Sequence, residues 1–504
     1  MSSSPVSPPG APADRAAPRR GYGHRGVALA ILLCAQLMVI LDATVVNIAL
    51  PEIQHGLHFS STSLAWVLNG YMLTFGGLLL LGGRAGDILG RRRMFLIGVC
   101  LFTLASLAGG LAASSGLLLA ARAVQGVGGA LASPAVLALM VGSFPEGRER
   151  IRALAIYTGV ITGGASLGLV LGGVITEWLS WRWVLFINVP IGLIALAAAP
   201  RFVAETPRQP GRFDVAGALT STLGMVSLVY AFIRAAASGW GDGLAVTAFA
   251  LAGVLLAAFL LIERRAPQPI TPLRLFADLS RSGSYVARLL VAGMFGMFFF
   301  LTQFLQDVLG FSPLRAGIAF LPMTAMLFGV SRGAPRLMGR VGPKALMIAG
   351  MVPAIAGMAW LSRVSPATGY WTGVIGPMLL LGGGLGTVFV PLTTAALAGV
   401  RPADSGAAAS MVNVMQQVGG ALGLAVLVAV YGTARRDAAR HPLAGATPVL
   451  QAHTALAHGM AMAFLLAAVF DAVSLIVIIA LIRTRAPMDA PPRAAEAEEE
   501  ALAV

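Results

Sequence analysis

Three ionisable residues stand deep inside long apolar stretches of the sequence: Asp42, Arg122 and Asp471. An ionised side chain is costly in hydrocarbon, so a carboxyl group at such depth is a candidate for reversible proton binding. Arg122 keeps its charge and needs carboxylate or carbonyl partners; beside an acid it would link protonation to conformation. The simpler alternatives are a neutral aspartic acid bonded to a neighbouring helix and an arginine that clamps two helices. We interpret the three residues as a proton-coupling set, with Asp471 the weakest member.

Amide and phenol groups at a similar depth form a second set of candidates. Such groups can face a central cavity and bind a small-molecule substrate, although hydrogen bonding between helices explains each of them equally well. The members of this predicted substrate cavity are Asn47, Tyr71, Gln125, Gln303, Gln306, Asn413 and Gln417.

Other kinds of chemistry have little support. The six histidines show no metal-ligand spacing, and the two cysteines, Cys34 and Cys100, lie in apolar stretches, so we predict neither a metal site nor a disulfide framework. No phosphate-binding loop of the G-x-x-x-x-G-K-[ST] type is found, which argues against ATP as the energy source. We predict no enzyme activity and no cofactor, with protons as the coupling ion.

The composition says what surrounds these residues. Of 504 residues, 57% are hydrophobic and only 11% are charged, whereas a soluble domain has about one quarter charged residues. Apolar stretches of about 20 residues, enough to cross a bilayer, recur along the chain. We predict about fourteen spans, near 26–50, 64–84, 94–114, 116–142, 153–175, 183–200, 214–233, 244–262, 284–306, 316–331, 345–362, 371–394, 405–431 and 459–482.

The distribution of basic residues predicts the topology. Most of the 35 Lys and Arg residues fall in alternate loops and at the two ends, which favours a cytoplasmic location for both termini in the inner membrane. Residues 1–25 and 484–504 have the composition of disordered cytoplasmic tails. Because the basic groups are small and dispersed, the net charge of +14 does not indicate a nucleic-acid partner. The expected partners are membrane lipid and a small-molecule substrate.

A weak internal repeat suggests two similar halves. The segment 89–98 resembles 341–350, and the same offset pairs Phe59 with Phe311. In the span map this offset equals eight helices. We therefore predict a six-helix half over 26–200, two inserted helices with linkers over 201–283, and a second six-helix half over 284–483.

Glycines and one acid mark two further features. Gly83, Asp87 and Gly90 are spaced for a tight turn and a charged latch, with Arg91 and Arg92 as cytoplasmic anchors, so we interpret this loop as a gate. An ordinary basic loop would explain the arginines but not the Gly and Asp spacing. In the fifth span, small residues at every fourth position predict a smooth ridge for a neighbouring helix, as ordinary tight packing also would. These residues are Gly164, Gly168 and Gly172.

Several motifs together resemble the major facilitator superfamily, in particular its fourteen-spanner drug/proton antiporter branch. The resemblance covers residues 26–483 and is carried, in order, by Leu41–Pro51, Gly83–Arg93, Arg122–Gly126, Trp181–Pro190 and Gly406–Gly423. It implies an all-α membrane fold of two six-helix halves with two inserted central helices. It also implies a monomer that exports small apolar or amphipathic compounds in exchange for protons. Import of a nutrient on the same fold is the alternative, and a membrane sensor or enzyme is a third hypothesis.

Overall fold

The computed structural model describes residues 22–144, 147–208, 210–401, 404–441 and 447–483, and within these ranges every regular element is helical. Fourteen helices are long and apolar enough to cross a membrane, as predicted. Most of the predicted terminal tails lies outside the described residues. The spanning helices are α1 (Arg25–Leu57), α2 (Ser63–Leu89), α3 (Arg91–Gly110), α4 (Ser115–Ser143), α5 (Arg148–Trp178), α6 (Trp183–Phe202), α7 (Val215–Ser238), α8 (Gly243–Arg265), α9 (Leu279–Val308), α10 (Pro313–Val341), α11 (Pro343–Leu361), α12 (Tyr370–Leu397), α13 (Gly406–Arg440) and α14 (Pro448–Leu481).

The helices extend beyond the apolar stretches that predicted them. Helix α14 begins at Pro448, where the Thr447 hydroxyl caps the first turn by accepting a hydrogen bond from the Leu450 amide at 3.3 Å. Helix α10 continues past residue 331 through a polar, arginine-bearing segment. Hydropathy marks the part of a helix that suits hydrocarbon, whereas caps and turns decide where the helix ends.

Two spanning helices are interrupted. Helix α6 consists of a short turn, Trp183–Phe186, and a longer part, Asn188–Phe202. Helix α9 runs over Leu279–Gly293, resumes at Gly296–Gln303, and ends in a π-helical turn, Phe304–Val308. Glycines flank the break in α9, where they weaken helix continuity.

Helix packing repeats between the two ends of the chain. Helix α1 packs on α4, α5 and α6, α3 packs on α4 and α6, and α2 packs on α4. The same six pairs occur among the later helices: α9 packs on α12, α13 and α14, α11 on α12 and α14, and α10 on α12. This pattern supports the proposed halves 26–200 and 284–483.

Contacts between these two sets of helices are made by α2 with α13, α5 with α10, and α1 with α9. Helices α7 and α8 pack on each other, and α7 also contacts both α2 and α13. The additional pair therefore lies beside the α2–α13 contact and leaves the α5–α10 contact uncovered by α7.

We call the side where α1 begins the N-terminal face and the other side the opposite face. An even number of spans returns the chain to the N-terminal face at the end of α14. Hydrogen bonds agree: the Arg483 amide donates to the Ser280 hydroxyl at the start of α9, at 3.3 Å. Lys344, at the start of α11, donates through Nζ to the carbonyl of Ile479 near the end of α14, at 2.7 Å.

The α5–α10 contact is confined to one end. Gly173 of α5 lies against the first turn of α10, where an added Cβ would stand 2.7 Å from Leu314 Cα. The Leu314 amide donates to Glu177 Oε2 at 2.9 Å. Helix α5 packs mainly on the first part of α10, Pro313–Ala319, and only slightly on Leu321–Val341, the part that runs toward the N-terminal face. The two helices therefore touch at the opposite face and separate toward the N-terminal face.

Candidate functional site

A cluster of buried polar side chains links five helices in the first half of the chain. Each member is at most 2% exposed, although apolar residues surround it. We call it the Asp42 cluster; its members are Asp42 (α1), Tyr71 (α2), Ser106 (α3), Arg122 and Gln125 (α4), and Asn188 (α6).

Arg122 and Asp42 form an ion pair at the centre of this cluster. Arg122 Nη1 donates to Asp42 Oδ2 at 2.5 Å and also to Gln125 Oε1 at 2.9 Å. Its Nε donates to the carbonyl of Val67 at 2.9 Å, and its Cζ lies 4.6 Å from the centre of the Tyr71 ring. The guanidinium is thus held by one carboxylate, two carbonyl oxygens and the face of an aromatic ring.

The second carboxylate oxygen of Asp42 is also occupied. Asp42 Oδ1 accepts hydrogen bonds from Gln125 Nε2 and from Asn188 Nδ2, each at 3.0 Å. Both amides are held in turn by the Ser106 hydroxyl, which accepts from Gln125 at 2.7 Å and from Asn188 at 3.3 Å. Two buried charges are tolerated because they neutralise each other and most of their polar atoms have partners.

Glycine at position 126 allows the close approach that this cluster needs. A Cβ on Gly126 would lie 2.5 Å from the carbonyl oxygen of Tyr71, so α2 and α4 are in backbone contact here. The Thr74 hydroxyl closes the same contact by donating to the Ala123 carbonyl at 2.9 Å. The approach brings Arg122 within reach of a backbone carbonyl of α2.

Sequence reasoning did not assign roles to two members of the cluster, Ser106 and Asn188. Asn188 opens the longer part of α6, two residues before Pro190, so an amide stands at a helix break within an apolar segment. That position was a detectable signal. Ser106 gave none, because a serine within an apolar helix commonly bonds to its own backbone.

The predicted cavity residues have different surroundings. Tyr71 and Gln125 belong to the Asp42 cluster. Gln303 donates to the Phe299 carbonyl of its own helix at 3.1 Å. Gln306, in the π-helical turn of α9, donates to the Ile48 carbonyl of α1 at 2.9 Å and so joins the two sets of helices.

The other three predicted cavity residues are held less tightly. Asn47 is buried, and its Oδ1 has no hydrogen-bond partner among the described residues. Asn413 is exposed on α13, with a single 3.5 Å bond to its own helix. Gln417 faces Gly76 of α2, where an added Cβ would lie 2.7 Å from the Gln417 Cβ. Asn413 is thus the most accessible of the seven.

Asp471 lies apart from the Asp42 cluster. It is fully buried in α14, and within the described part of the chain neither carboxylate oxygen has a hydrogen-bond partner. One turn later, the Ser474 hydroxyl donates to the Ala287 carbonyl of α9 at 3.3 Å, which places this part of α14 against α9. The structure therefore does not bring the two predicted acids together.

The predicted gating loop is a turn between α2 and α3. Gly90 has φ of 110°, a conformation that favours glycine, and it ends α2 directly before α3 begins. Asp87 pairs with Arg91, whose Nη2 lies 2.9 Å from Asp87 Oδ1. Gly83 faces Pro134 of α4, with an added Cβ at 3.7 Å from the proline Cβ.

A carboxylate that sequence reasoning missed caps the start of α3. Glu205, just beyond α6, accepts hydrogen bonds from the Arg92 amide at 2.9 Å and the Arg93 amide at 3.3 Å. Arg92 Nη1 donates to the carbonyl of Val203 at 3.2 Å. An acid at a helix N-terminus satisfies free amide groups and the helix dipole, so this contact ties the loop to α6.

The glycine ridge of α5 faces α1. A Cβ on Gly164 would lie 2.8 Å from Leu37, and one on Gly172 would lie 2.8 Å from the Val45 carbonyl. Gly168, between them, lies directly against the Thr44 hydroxyl. Because Asp42 stands on the same segment of α1, this ridge packs behind the Asp42 cluster.

Several known proteins are similar to this chain over most of its length. The puromycin resistance protein pur8 of Streptomyces alboniger is 46% identical, over 81% of this chain and 81% of that protein. The cephamycin export protein CmcT of Amycolatopsis lactamdurans is 42% identical, over 81% of this chain and 85% of that protein. The crystal structure of the POT family transporter PepTSo has a TM-score of 0.63 at 16% identity, and the match covers 90% of this chain and 98% of that one, which shows a common fold.

The model of the Major Facilitator Superfamily matches residues 32–424, a range that contains the whole Asp42 cluster. Among the described residues no group of three or more His, Cys, Asp or Glu side chains could hold a metal ion. The buried ion pair, the fourteen spanning helices and these relatives agree. The chain belongs to the Major Facilitator Superfamily and is a multi-pass membrane transporter related to drug efflux proteins.

Proposed function

We propose that the protein exports small apolar or amphipathic compounds in exchange for protons, by alternating access. The ion pair of Asp42 with Arg122 carries this proposal. A neutralised carboxylate cannot hold the guanidinium as strongly, so a proton on Asp42 weakens the central contact between α1 and α4. Proton binding thereby changes the packing of five helices at once.

The consequence follows from the remaining contacts. After protonation, Arg122 keeps its bonds to the Val67 carbonyl and Gln125, both outside α1. Asp42 keeps the Asn188 amide of α6 and the Gln125 amide of α4. Without the ion pair, only amide hydrogen bonds link Asp42 to α4, so α1 and α6 move together more easily relative to α2 and α4. A proton shifts the equilibrium between two conformations only if it binds one of them more tightly than the other.

In this proposal the two sets of helices move relative to each other at their interface. Helices α5 and α10 touch at the opposite face and separate toward the N-terminal face, and Gln306 fastens α9 to α1 near the touching end. In our proposal the N-terminal face is cytoplasmic, as the basic residues favour, so this arrangement admits substrate from inside. Rocking of the halves 26–200 and 284–483 then exposes the substrate outside.

The names of two related proteins support the proposal that the substrate is a drug-like or antibiotic-like compound. Two of the proteins most similar to this chain are described as a puromycin resistance protein and a cephamycin export protein. We extend drug or antibiotic export to this chain, acting as a monomer in the inner membrane. Asp42 and Arg122 are the proposed coupling residues, and the loop from Gly83 to Arg92 is the proposed gate.

Transport in inside-out vesicles tests the proposal. In a host without its own exporters, an imposed pH gradient should drive uptake of a fluorescent drug by the wild type. Asp42→Asn should abolish this gradient-driven uptake and keep counter-flow of labelled drug against unlabelled drug, because binding and helix motion remain. Asp437→Asn is the matched control, since Asp437 is 68% exposed at the side chain. Normal gradient-driven uptake by Asp42→Asn would refute coupling through Asp42.

A further inference from the structure

A second arginine at span depth, Arg288, has no carboxylate partner among the residues that the structure describes. Arg288 lies in α9, nine residues after Leu279, which is about 14 Å along the helix axis. Its side chain is half-buried and lies between α12 and α13, which correspond to α4 and α5 in the repeated packing. The position of Arg288 is thus inside the second set of helices, away from both ends of α9.

The guanidinium of Arg288 is only partly bonded. Nη2 donates to Gln416 Oε1 of α13 at 2.5 Å, and Cζ lies 4.5 Å from the centre of the Phe389 ring of α12. Nε and Nη1 are buried and have no acceptor among the described residues. None of the ion pairs in the described part of the chain includes Arg288.

An arginine without a carboxylate partner at this depth is energetically unfavourable. Arginine remains charged in proteins, and a cation at span depth is costly unless it is paired. A buried donor without an acceptor adds about 1–3 kcal/mol. Hydrogen bonds from a guanidinium donor to a carboxylate are among the strongest in proteins. The unbonded donors of Arg288 therefore fit an anionic group that is not part of the described chain.

An aromatic surface lies next to this cation. Phe389 stacks with Phe295 at 6.0 Å between ring centres, and Phe295 stacks with Phe298 at 6.0 Å. All three rings are partly exposed. Phe298 in turn packs on Phe320 at 5.4 Å. Partly exposed aromatic rings offer apolar faces and edges against which another aromatic group can pack.

We propose that Arg288 and the ring series Phe389, Phe295 and Phe298 form a substrate subsite for aromatic compounds that carry a carboxylate. Arg288 binds the carboxylate through Nη1, and the rings bind the aromatic part. This inference rests on the proposed export function and narrows its substrate class. Cationic compounds are disfavoured at this subsite because they would face the unpaired guanidinium.

A matched pair of probes tests the subsite. Dansyl-phenylalanine carries the carboxylate, and its methyl ester has nearly the same shape without the charge. Binding of each to purified protein in lipid nanodiscs is measured by dansyl fluorescence, with protein-free nanodiscs subtracted. The wild type should bind the acid more tightly than the ester. Arg288→Gln should weaken binding of the acid about tenfold or more and leave the ester within twofold, because a charged hydrogen bond is lost.

Two variants make the result specific. Arg288→Lys keeps the charge without the planar, fixed donors of the guanidinium and should restore only part of the affinity for the acid. Arg363→Gln is the control, because it removes one positive charge from an exposed position on the opposite face. It should change neither affinity.

The outcomes separate this inference from the proposed export function. Failure of the wild type to bind the acid, or equal losses for acid and ester in Arg288→Gln, would overturn the subsite. Either result leaves gradient-driven drug export and its dependence on Asp42 as they are. Conversely, acid-selective binding that depends on Arg288, without any gradient-driven uptake, supports the subsite and refutes proton-coupled export.

Discussion

Helices α2, α3 and α4 have the same backbone contacts as α10, α11 and α12, but the two groups bury opposite kinds of side chains. A Cβ on Gly128 of α4 would lie 2.7 Å from the Gly98 carbonyl of α3. A Cβ on Gly384 of α12 would lie 2.5 Å from the Gly350 carbonyl of α11. The second contact repeats the first, since Gly98 and Gly350 are separated by the offset that the sequence repeat predicts.

The contacts with α2 and α10 fix the same correspondence. Gly126 faces the carbonyl oxygen of Tyr71, and Gly382 faces the carbonyl oxygen of Met323. Glycine at both places allows backbone contact that a larger residue would prevent. Helices α2, α3 and α4 (the first triplet) can therefore be aligned with α10, α11 and α12 (the second triplet) residue by residue. The alignment needs no insertion or deletion within any of these helices.

This correspondence places a methionine opposite three polar residues of the first triplet. All six residues are at most 2% exposed. The pairs are Tyr71 with Met323, Ser106 with Met358, and Arg122 with Met378. The three methionines belong to one apolar core cluster, whereas the first three residues surround Asp42.

The difference teaches that the backbone architecture does not require the charges. One triplet packs equally closely around flexible apolar side chains, which adapt their shape at small cost. The charges of the first triplet are therefore not needed for close packing, which agrees with the proton coupling that we propose for the first half. For the second half we propose adaptable packing behind the Arg288 subsite.

Exchange of the arginine for its counterpart gives the largest expected effect. Arg122→Met leaves Asp42 buried without a cation, which should lower the free energy of unfolding by about 3–5 kcal/mol. Met378→Leu, a change that conserves volume in the other triplet, should cost less than about 1.5 kcal/mol. Chemical unfolding in detergent micelles measures both.

A double variant tests whether the unpaired buried charge causes this loss of stability. Arg122→Met with Asp42→Asn should recover much of the lost stability, because no unpaired buried charge remains, and should still fail to couple transport to protons. Equal costs for Arg122→Met and Met378→Leu would break the comparison between the triplets.

The next effect tests whether the backbone contacts are truly alike. Gly128→Ala and Gly384→Ala should each lower the free energy of unfolding by about 1–3 kcal/mol, because the new methyl group meets backbone atoms at under 3 Å. Gly253→Ala in α8 is the control; it meets nothing within 4 Å and should be neutral or stabilising. A difference of more than about 2 kcal/mol between the two test variants would contradict equivalent packing.

Much of the fold was predictable from the sequence, because hydrocarbon imposes its own pattern. Fourteen apolar stretches gave fourteen spans, and the repeat at 89–98 and 341–350 predicted matching glycines. Gly90 and Gly342 indeed both have positive φ, 110° and 83°. Helix ends were less predictable, because hydropathy does not mark the cap at Thr447 and because α10 continues as a helix beyond its apolar part.

The site was predictable only in part. Asp42, Arg122 and Gln125 were identified because charge and amides are costly in an apolar helix. Ser106 and Glu205 were missed, since their roles depend on which helices become neighbours. The grouping of Tyr71 with the charges also depends on the α2–α4 contact. Roles for all of these residues stay predictions, to be decided by transport measurements.

A smaller effect concerns the amide that helps to hold Asp42. Asn188→Ala removes one of the two amide hydrogen bonds to Asp42 Oδ1. Because the acceptor is a buried carboxylate, we expect the free energy of unfolding to fall by about 1.5 kcal/mol. Asn413→Ala, at an exposed amide of the second half, should change it by less than about 0.5 kcal/mol. Chemical unfolding in detergent micelles measures both variants, and equal costs would contradict the proposed arrangement.

The smallest effect comes from ion pairs at the N-terminal face, where the two halves also differ. Arg274 lies 2.5 Å from Asp404, whose side chain is only 7% exposed. Hydrogen bonds from Arg274 and Arg401 lower the pKa of Asp404 to about 2. In the first half, Arg25 and Glu149 lie 3.3 Å apart with 30% and 40% of their side chains exposed. Exposed pairs of this kind contribute little to stability.

A pH series separates these pairs. A depressed pKa means that Asp404 stabilises the fold fully above its ordinary value of 3.8 and loses this contribution as the pH falls toward 2. The difference in thermal midpoint between wild type and Asp404→Asn should be largest at pH 6 and about half as large at pH 3. Glu149→Gln should produce a smaller difference at pH 6. If Asp404→Asn instead has a constant effect between pH 6 and pH 3, the ion pair with Arg274 does not stabilise this face, and the contrast with the exposed pair of the first half is lost.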